Sequence, residues 1–273
     1  MSSILCHGVR LAIEQAGSGA PLVLVHGAWA DRRHWDLVFP ALARHFHTIR
    51  YDRRGYGESE RPGASRSGHA QDLLELLRAL DLSRVVLVGN SLGALIAIRA
   101  GLAESTRVRL VIAHEAPLLQ ILELDPERRA LANKVRTGFA EIAKALGVGD
   151  REAAARLFIE RLASLPGAWQ ALPEEMRREF VGHADSFLPE ADSDQDTDLT
   201  PTALAGLESR LVITRGDRSS MALRHASDEL HRILPKARYH VFTGAGHVPH
   251  QTCPEIFVAK TLELARQAGE TPL

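Results

Sequence analysis

Five residues, Gly89-Asn90-Ser91-Leu92-Gly93, constrain this chain more than any others. They follow an apolar run, Arg84–Val88, and open an Ala- and Leu-rich segment, Leu92–Ala103, that reads as a buried helix. A serine flanked by glycines at a strand-to-helix corner marks a turn so tight that only small neighbours fit, with the hydroxyl left exposed above the end of a sheet. A chain built around that corner needs a sheet for the strand and a helix packed on its face.

The rest of the first half supplies both. Leu22–Val25, Thr48–Tyr51 and Val108–Ala113 are further apolar runs, and Val9–Ile13 alternates with a period near two and pairs with Ile4–Cys6 as a hairpin. Continuous apolar runs suit strands buried on both faces. Between them, Leu73, Leu74, Leu77 and Leu80 recur at helical spacing. This strand–helix rhythm predicts an α/β fold with a mostly parallel sheet flanked by helices. The rhythm stops after Glu115. Pro126–Leu146, Arg151–Leu165 and Glu174–Phe187 read as helices, with Asp150 and Pro173 at helix starts. The acidic stretch 190–198 reads as a solvated linker. Strands resume at Leu211–Thr214 and Tyr239–Phe242, with helices at Met221–Leu234 and Pro254–Gln267. The expected organisation is a core of residues 1–116 and 206–273 and a helical cap of residues 117–205, inserted after the sixth strand.

Composition narrows the function. Lys plus Arg is 33 and Asp plus Glu is 34, so no basic excess points to nucleic acid. No run approaches the length needed to span a bilayer. The N-terminus lacks a basic start followed by an apolar stretch, and the two cysteines, Cys6 and Cys253, suit a reducing compartment. The expectation is a cytoplasmic protein with no nucleic-acid or membrane partner. The oligomeric state stays open. No metal-ligand spacing is present, and the chemistry below calls for no cofactor.

Three further segments carry chemistry. His26-Gly27-Ala28-Trp29 closes the run Leu22–Val25. Its turn can aim the Ala28 N–H at the space above Ser91, where with the Leu92 N–H it would stabilise an oxyanion. His26 itself reads as a structural hydrogen-bonding residue. Gly244-Ala245-Gly246-His247 follows the last strand, and a neutral His247 imidazole could take the Ser91 proton. His250 reads as a surface or pocket residue. Two carboxylates compete to orient His247. Asp217 follows Gly216 by one residue, after the strand that succeeds the cap. Glu115 ends the strand before the cap, 24 residues after Ser91. Asp favours turns and helix caps, whereas a carboxylate entering between core and cap needs a partner. On the residues alone Glu115 and Asp217 both stay open as the acid.

These motifs, with Asp52-Arg53-Arg54-Gly55-Tyr56-Gly57-Glu58-Ser59 after the fourth strand, resemble the α/β-hydrolase fold enzymes over nearly the full chain. In that segment Asp52 reads as structural. The corner His114-Glu115-Ala116-Pro117, the cap segment Ala168-Trp169-Gln170-Ala171-Leu172 and the tail Gly246-His247-Val248-Pro249-His250 are similar to zearalenone lactonases. That resemblance implies a serine ester or lactone hydrolase with Glu115 as its acid and Trp169 over the substrate. Trp29, beside the oxyanion turn, is a second candidate substrate contact. The common His26-Gly27 turn and ordinary elbow depart from those lactonases, so the resemblance supports ester or lactone chemistry better than that one macrolactone. The alternatives are a C–C bond hydrolase of a vinylogous diketone and, further off, a ligand receptor on the same fold. Epoxide hydrolase and haloalkane dehalogenase readings need an aspartate where Ser91 stands.

Overall fold

Apolar side chains that alternate between two faces decide where the sheet lies. In the computed structural model, which describes residues 2–61, 63–162, 167–191 and 196–270, the predicted strands become β1 (Ser2–Cys6), β2 (Val9–Ala16), β3 (Pro21–Val25), β4 (His47–Tyr51), β5 (Val85–Asn90), β6 (Val108–His114), β7 (Leu211–Gly216) and β8 (Arg238–Phe242). They form one sheet in the order β1-β2-β4-β3-β5-β6-β7-β8. The hairpin β1–β2 and the pair β2–β4 are antiparallel, and every other pair is parallel.

Val23, Val25, Leu87 and Val111 face one side of the sheet, where the helices Arg66–Ala79 and Leu92–Ala103 bury Leu73, Leu77, Leu95 and Ile98. Leu22, Leu24, Val86 and Val88 face the other, against Phe39, Leu42, Phe257 and Leu264. Both faces are covered, so the central strands carry no polar face toward water.

Between β6 and β7 the described elements are all helical: Leu119–Leu122, Pro126–Gly147, Arg151–Leu157, a π turn at Phe158–Leu162, Ala168–Ala171 and Glu174–Ala191, with Pro201–Ala205 and the turn Glu208–Arg210 on the way back. Asp150 caps its helix by accepting from the Ala153 N–H at 2.9 Å, as an N-cap aspartate does. The cap helices bury Ile142, Ala154, Ile159, Trp169, Ala184 and Phe187 in a cluster that also takes in Trp29 from the core. This is a mostly parallel sheet flanked by helices, with a helical cap after the sixth strand. No described helix is long and apolar enough to cross a membrane.

One expectation is corrected. The acidic stretch is not wholly a solvated linker: Glu190 and Asp196 are buried, while Thr197 and Asp198 stay exposed. Glu190 belongs to the last cap helix and is buried against Arg53, while Asp196 is buried between Arg66 and Arg99. Residues 192–195 lie outside the described residues. An acidic run reads as solvated only when no cation waits for it, and here the arginines come from core segments about a hundred residues earlier.

Candidate active site

The corner at Ser91 is as tight as its glycines imply. Ser91 holds φ 55° and ψ −123°, a conformation rare outside glycine and costly for a side-chain-bearing residue. A Cβ on Gly93 would lie 2.1 Å from the Val25 carbonyl oxygen, and one on Gly89 2.3 Å from that of Gly93. The Ser91 N–H donates to the His114 carbonyl oxygen at 2.8 Å. Leu92 is the first residue of the following helix, so its N–H is among those with no acceptor inside that helix.

The parallel register brings the neighbouring strand ends alongside. Val25 pairs with Gly89, Asn90 with His114 and His114 with Thr214. The chain leaves β6 at Glu115, itself at φ 51°. Its carboxylate is fully buried. Oε1 accepts from the Gly216 N–H at 2.8 Å and Oε2 from His247 Nδ1 at 2.6 Å. Burial alone would raise this carboxyl. The hydrogen bond from His247 and the charges of His114 and His247 outweigh it and hold the group down to about 2. Asp217 is elsewhere engaged: its Oδ1 accepts from the Gly244 N–H at 2.8 Å. Of the two candidate acids, the one that meets His247 is Glu115.

Ser91, His247, Ala28 and Leu92 all line one cavity of about 590 Å³. Most of its wall is apolar and comes from both layers: Trp29, Leu119, Val135, Phe139, Phe158, Leu172, Phe180, Phe187 and Leu223. Trp29 is both wall and fastener. Its indole N–H donates to the Phe180 carbonyl oxygen of the cap at 2.6 Å, and its ring packs on Phe158 and Phe187. Trp169 is different. It is buried within the cap cluster and is not among the described residues that line the cavity. The structure places Trp169 in the cap cluster and not on the cavity wall where the expectation put it.

Two histidines resolve plainly. His26 donates from Nδ1 to the Gly27 carbonyl oxygen and accepts at Nε2 from the Arg53 N–H, both at 2.9 Å. It is structural, and burial holds it well below its ordinary range. His250 is fully buried between Trp35, His34 and Phe257, which corrects its reading as a surface or pocket residue. Asp52 accepts from the backbone N–H groups of Arg32 and Glu58 and pairs with the Arg32 guanidinium. That is the structural role expected of it.

Sequence reasoning missed Asn90. Its Oδ1 meets His34 Nε2 at 3.2 Å while its Nδ2 donates to the His247 carbonyl oxygen at 2.8 Å. The only signal was its place beside the serine. Glu190 and Arg66 on the cavity wall were missed too, since nothing local ties either to the site.

Two groups of described side chains bring three potential metal-ligand atoms together, His114 with Glu115 and His247, and Asp31 with Glu179 and His183. Hydrogen bonds already occupy both. Glu115 is bound as above and His114 Nδ1 faces Thr214 Oγ1 at 3.0 Å, while Arg33 holds Asp31 and Glu179. A buried carboxylate–imidazole pair, a hydroxyl on a strained corner and backbone N–H groups around an apolar cavity form an arrangement suited to acyl transfer.

Residues 22–260 match the family model described as "Alpha/beta hydrolase family". A 2-(acetamidomethylene)succinate hydrolase of Mesorhizobium japonicum is 26% identical over 91% of this chain and 88% of its own. A 2-hydroxymuconate semialdehyde hydrolase of a Pseudomonas strain is 28% identical over 68% of this chain and 77% of its own. Uncharacterised mycobacterial proteins reach 39% identity, but that match takes in 34% of this chain and spans only 28% of their length. Among solved structures, the enol-lactonase of Burkholderia xenovorans LB400 superposes with a TM-score of 0.75 at 20% identity, over 96% of this chain and 99% of its own. At that identity the likeness concerns the fold. None of the relatives named here is a zearalenone lactonase.

Proposed function

Because the chain belongs to the alpha/beta hydrolase family, we propose that it is a serine hydrolase that moves the acyl group of a small, largely apolar molecule first to Ser91 and then to water. The observation that carries this reading is the 2.6 Å bond between His247 Nδ1 and Glu115 beside a cavity whose wall also holds Ser91. Glu115 keeps the proton on Nδ1, so Nε2 is free to take the proton of Ser91 Oγ. Oγ then bonds the carbonyl carbon, and the Ala28 and Leu92 N–H groups hold the oxygen that becomes negative. Collapse expels the leaving group, which receives the proton from Nε2. Water repeats the sequence on the acyl-enzyme and leaves a carboxylic acid. A cap of residues 117–205 closes the apolar side over a core of residues 1–116 and 206–273.

The first choice for the bond broken is carbon–carbon, in a vinylogous diketone or its aldehyde counterpart. A hydroxymuconate semialdehyde contains no ester oxygen, so its hydrolysis must cleave carbon from carbon, and its conjugated enol can hold the departing electron pair. A relative named for that compound matches two thirds of this chain. Ester or lactone cleavage is the second reading, and one observation favours it. Both guanidiniums on the cavity wall are already engaged, Arg33 by Asp31 and Glu179 and Arg66 by Asp196. A neutral ester needs no free cation.

Product-resolved turnover separates the readings. The panel holds a vinylogous diketone, aryl and alkyl esters, small lactones and a macrolactone, each tried with wild type and Ser91→Ala. Sustained turnover that disappears in Ser91→Ala supports the serine hydrolase, and the product, acid plus enol or acid plus alcohol, names the bond. Turnover that survives Ser91→Ala, or binding without turnover across the panel, overturns it; the latter is the behaviour of a receptor.

A further inference from the structure

The Ala28 N–H belongs to the same peptide unit as the Gly27 carbonyl. That carbonyl oxygen accepts two hydrogen bonds, one from His26 Nδ1 at 2.9 Å and one from Arg53 Nη2 at 2.8 Å. The Arg53 guanidinium is fully buried, and its other arm, Nη1, bonds the carboxylate of Glu190 in the last cap helix. Its Cζ lies 4.5 Å from the Tyr56 ring centre. The Arg53 backbone N–H meets His26 Nε2 at 2.9 Å, so the residue grips both ends of the same turn. His69 Nε2 stands 2.9 Å from the Glu190 carboxylate, and Arg66 Nε donates to the Glu190 carbonyl oxygen at 3.1 Å.

We propose that Arg53 is a positioning residue for the oxyanion hole, and that Glu190 makes it one that feels the cap. The inference rests on the serine-hydrolase reading above. A cation donating to a carbonyl oxygen fixes the rotation of that peptide and polarises it, which makes the N–H at its far end a stronger donor. Preorganised donors of this kind act on the charge that develops at the substrate oxygen and little on the neutral ground state. Arg53 spans two acceptors with two separate nitrogens of one rigid planar fork, a reach that the single nitrogen of a lysine ammonium does not have. The docked cap thus holds the arginine that holds the oxyanion peptide. Within Asp52-Arg53-Arg54-Gly55 the work falls to Arg53, since Arg54 turns to Asp72.

The decisive variant is Arg53→Lys, which keeps a charge for Glu190 but cannot also reach Gly27. Glu190→Gln is the second, keeping the cap packing while loosening Arg53. Arg99→Met is the control, because Arg99 ties Asp196 and Asp198 to the core without touching Gly27. Each is assayed with the best substrate of the panel. Binding of a trifluoromethyl ketone, which forms an oxyanion on Ser91, is compared with binding of the matching alcohol, which does not. In Arg53→Lys, kcat is expected to fall about 10- to 100-fold with KM within 2-fold, somewhat less than the loss of one whole donor. The ketone weakens in parallel and the alcohol does not. Glu190→Gln falls between this variant and wild type. An unchanged kcat, a rise in KM alone, equal weakening of ketone and alcohol, or an equal loss in Arg99→Met overturns the inference. Wild-type turnover that depends on Ser91 alongside an unaffected Arg53→Lys removes the inference alone, whereas wild-type turnover that survives Ser91→Ala removes the underlying reading with it.

Discussion

Asn90 and His247 lie 157 residues apart in the chain, and the Asn90 amide donates to the His247 carbonyl oxygen across 2.8 Å. The residue beside the serine thereby fixes the loop that carries the imidazole. Its other amide atom, Oδ1, meets His34, whose far nitrogen faces Gln251 at 3.1 Å. Two loops, after β3 and after β8, converge on one side chain at the end of β5.

Asn90→Ala is expected to lower kcat roughly 10-fold by letting the His247 loop drift, since small misplacements at a reacting centre are costly. It also leaves the His34 nitrogen and the His247 carbonyl without this partner, at about 1–3 kcal/mol. Steady-state kinetics and thermal unfolding together check both effects. Unchanged kcat with a lowered Tm would confine Asn90 to stability.

Glu115→Gln is expected to reduce kcat/KM by roughly 10⁴-fold, because an amide can present the wrong hydrogen-bonding atom to Nδ1 and settle the imidazole in the other tautomer. Asp217→Asn keeps a carbonyl for the Gly244 N–H and is expected to stay within about 3-fold of wild type. Comparing the two variants on one substrate decides which carboxylate orients His247. A larger loss in Asp217→Asn would reverse the assignment.

Trp29→Ala and Trp169→Ala are expected to part ways. Trp29 lines the cavity, so its loss raises KM. Trp169 is buried in the cap cluster only, so its loss costs about 3–5 kcal/mol of stability and leaves KM near wild type. KM values measured well below each variant's Tm make the comparison. A KM change confined to Trp169→Ala would return that residue to the substrate.

Acid is expected to destabilise the fold in two stages. Burial holds His34, His114 and His183 down to about 4, and also holds His26 and His250 well below their ordinary range. The unfolded chain binds protons at these sites near pH 6.5, so it gains protons first and stability falls as pH drops from 6.5 toward 4. Glu115, held to about 2 from an ordinary 4.5, contributes stability above 4.5 that is lost as pH falls toward 2. Tm measured from pH 7 to 3 should decline steadily from 6.5 downward. A flat profile between 6.5 and 4.5 would contradict the buried neutral histidines.

How far the chain could be read depended on whether the partners were local. Each strand shows as an apolar run and each long cap helix as a spacing, because periodicity is written within a few residues. Ser91 and Gly93 are legible because the turn they build is steric and local. The acid was harder. β6 and β7 are adjacent, so a carboxylate at either strand end can approach the same imidazole, and counting residues does not choose between Glu115 and Asp217. Asn90, Arg53 and Glu190 stayed hidden because each acts through a partner more than a hundred residues away, or through a backbone carbonyl that leaves no mark on composition. Trp169 was ambiguous for the reverse reason: a tryptophan in a cap segment looks the same whether it faces a cavity or the cap interior.

The adjacency of β6 and β7 has another consequence. Val111 pairs with Leu211 and His114 with Thr214, so the sheet closes directly across the point where the cap leaves and returns. The hydrogen-bond ladder keeps no record of how long that excursion is. Across generations the excursion can lengthen, shorten or be exchanged for another while the strands beneath it stay in step. The part of the molecule that supplies much of the cavity wall can therefore change without disturbing the strand ends that carry Ser91 and Glu115. Arg53 and Glu190 mark one of the few places where such an exchange would have to be matched on both sides.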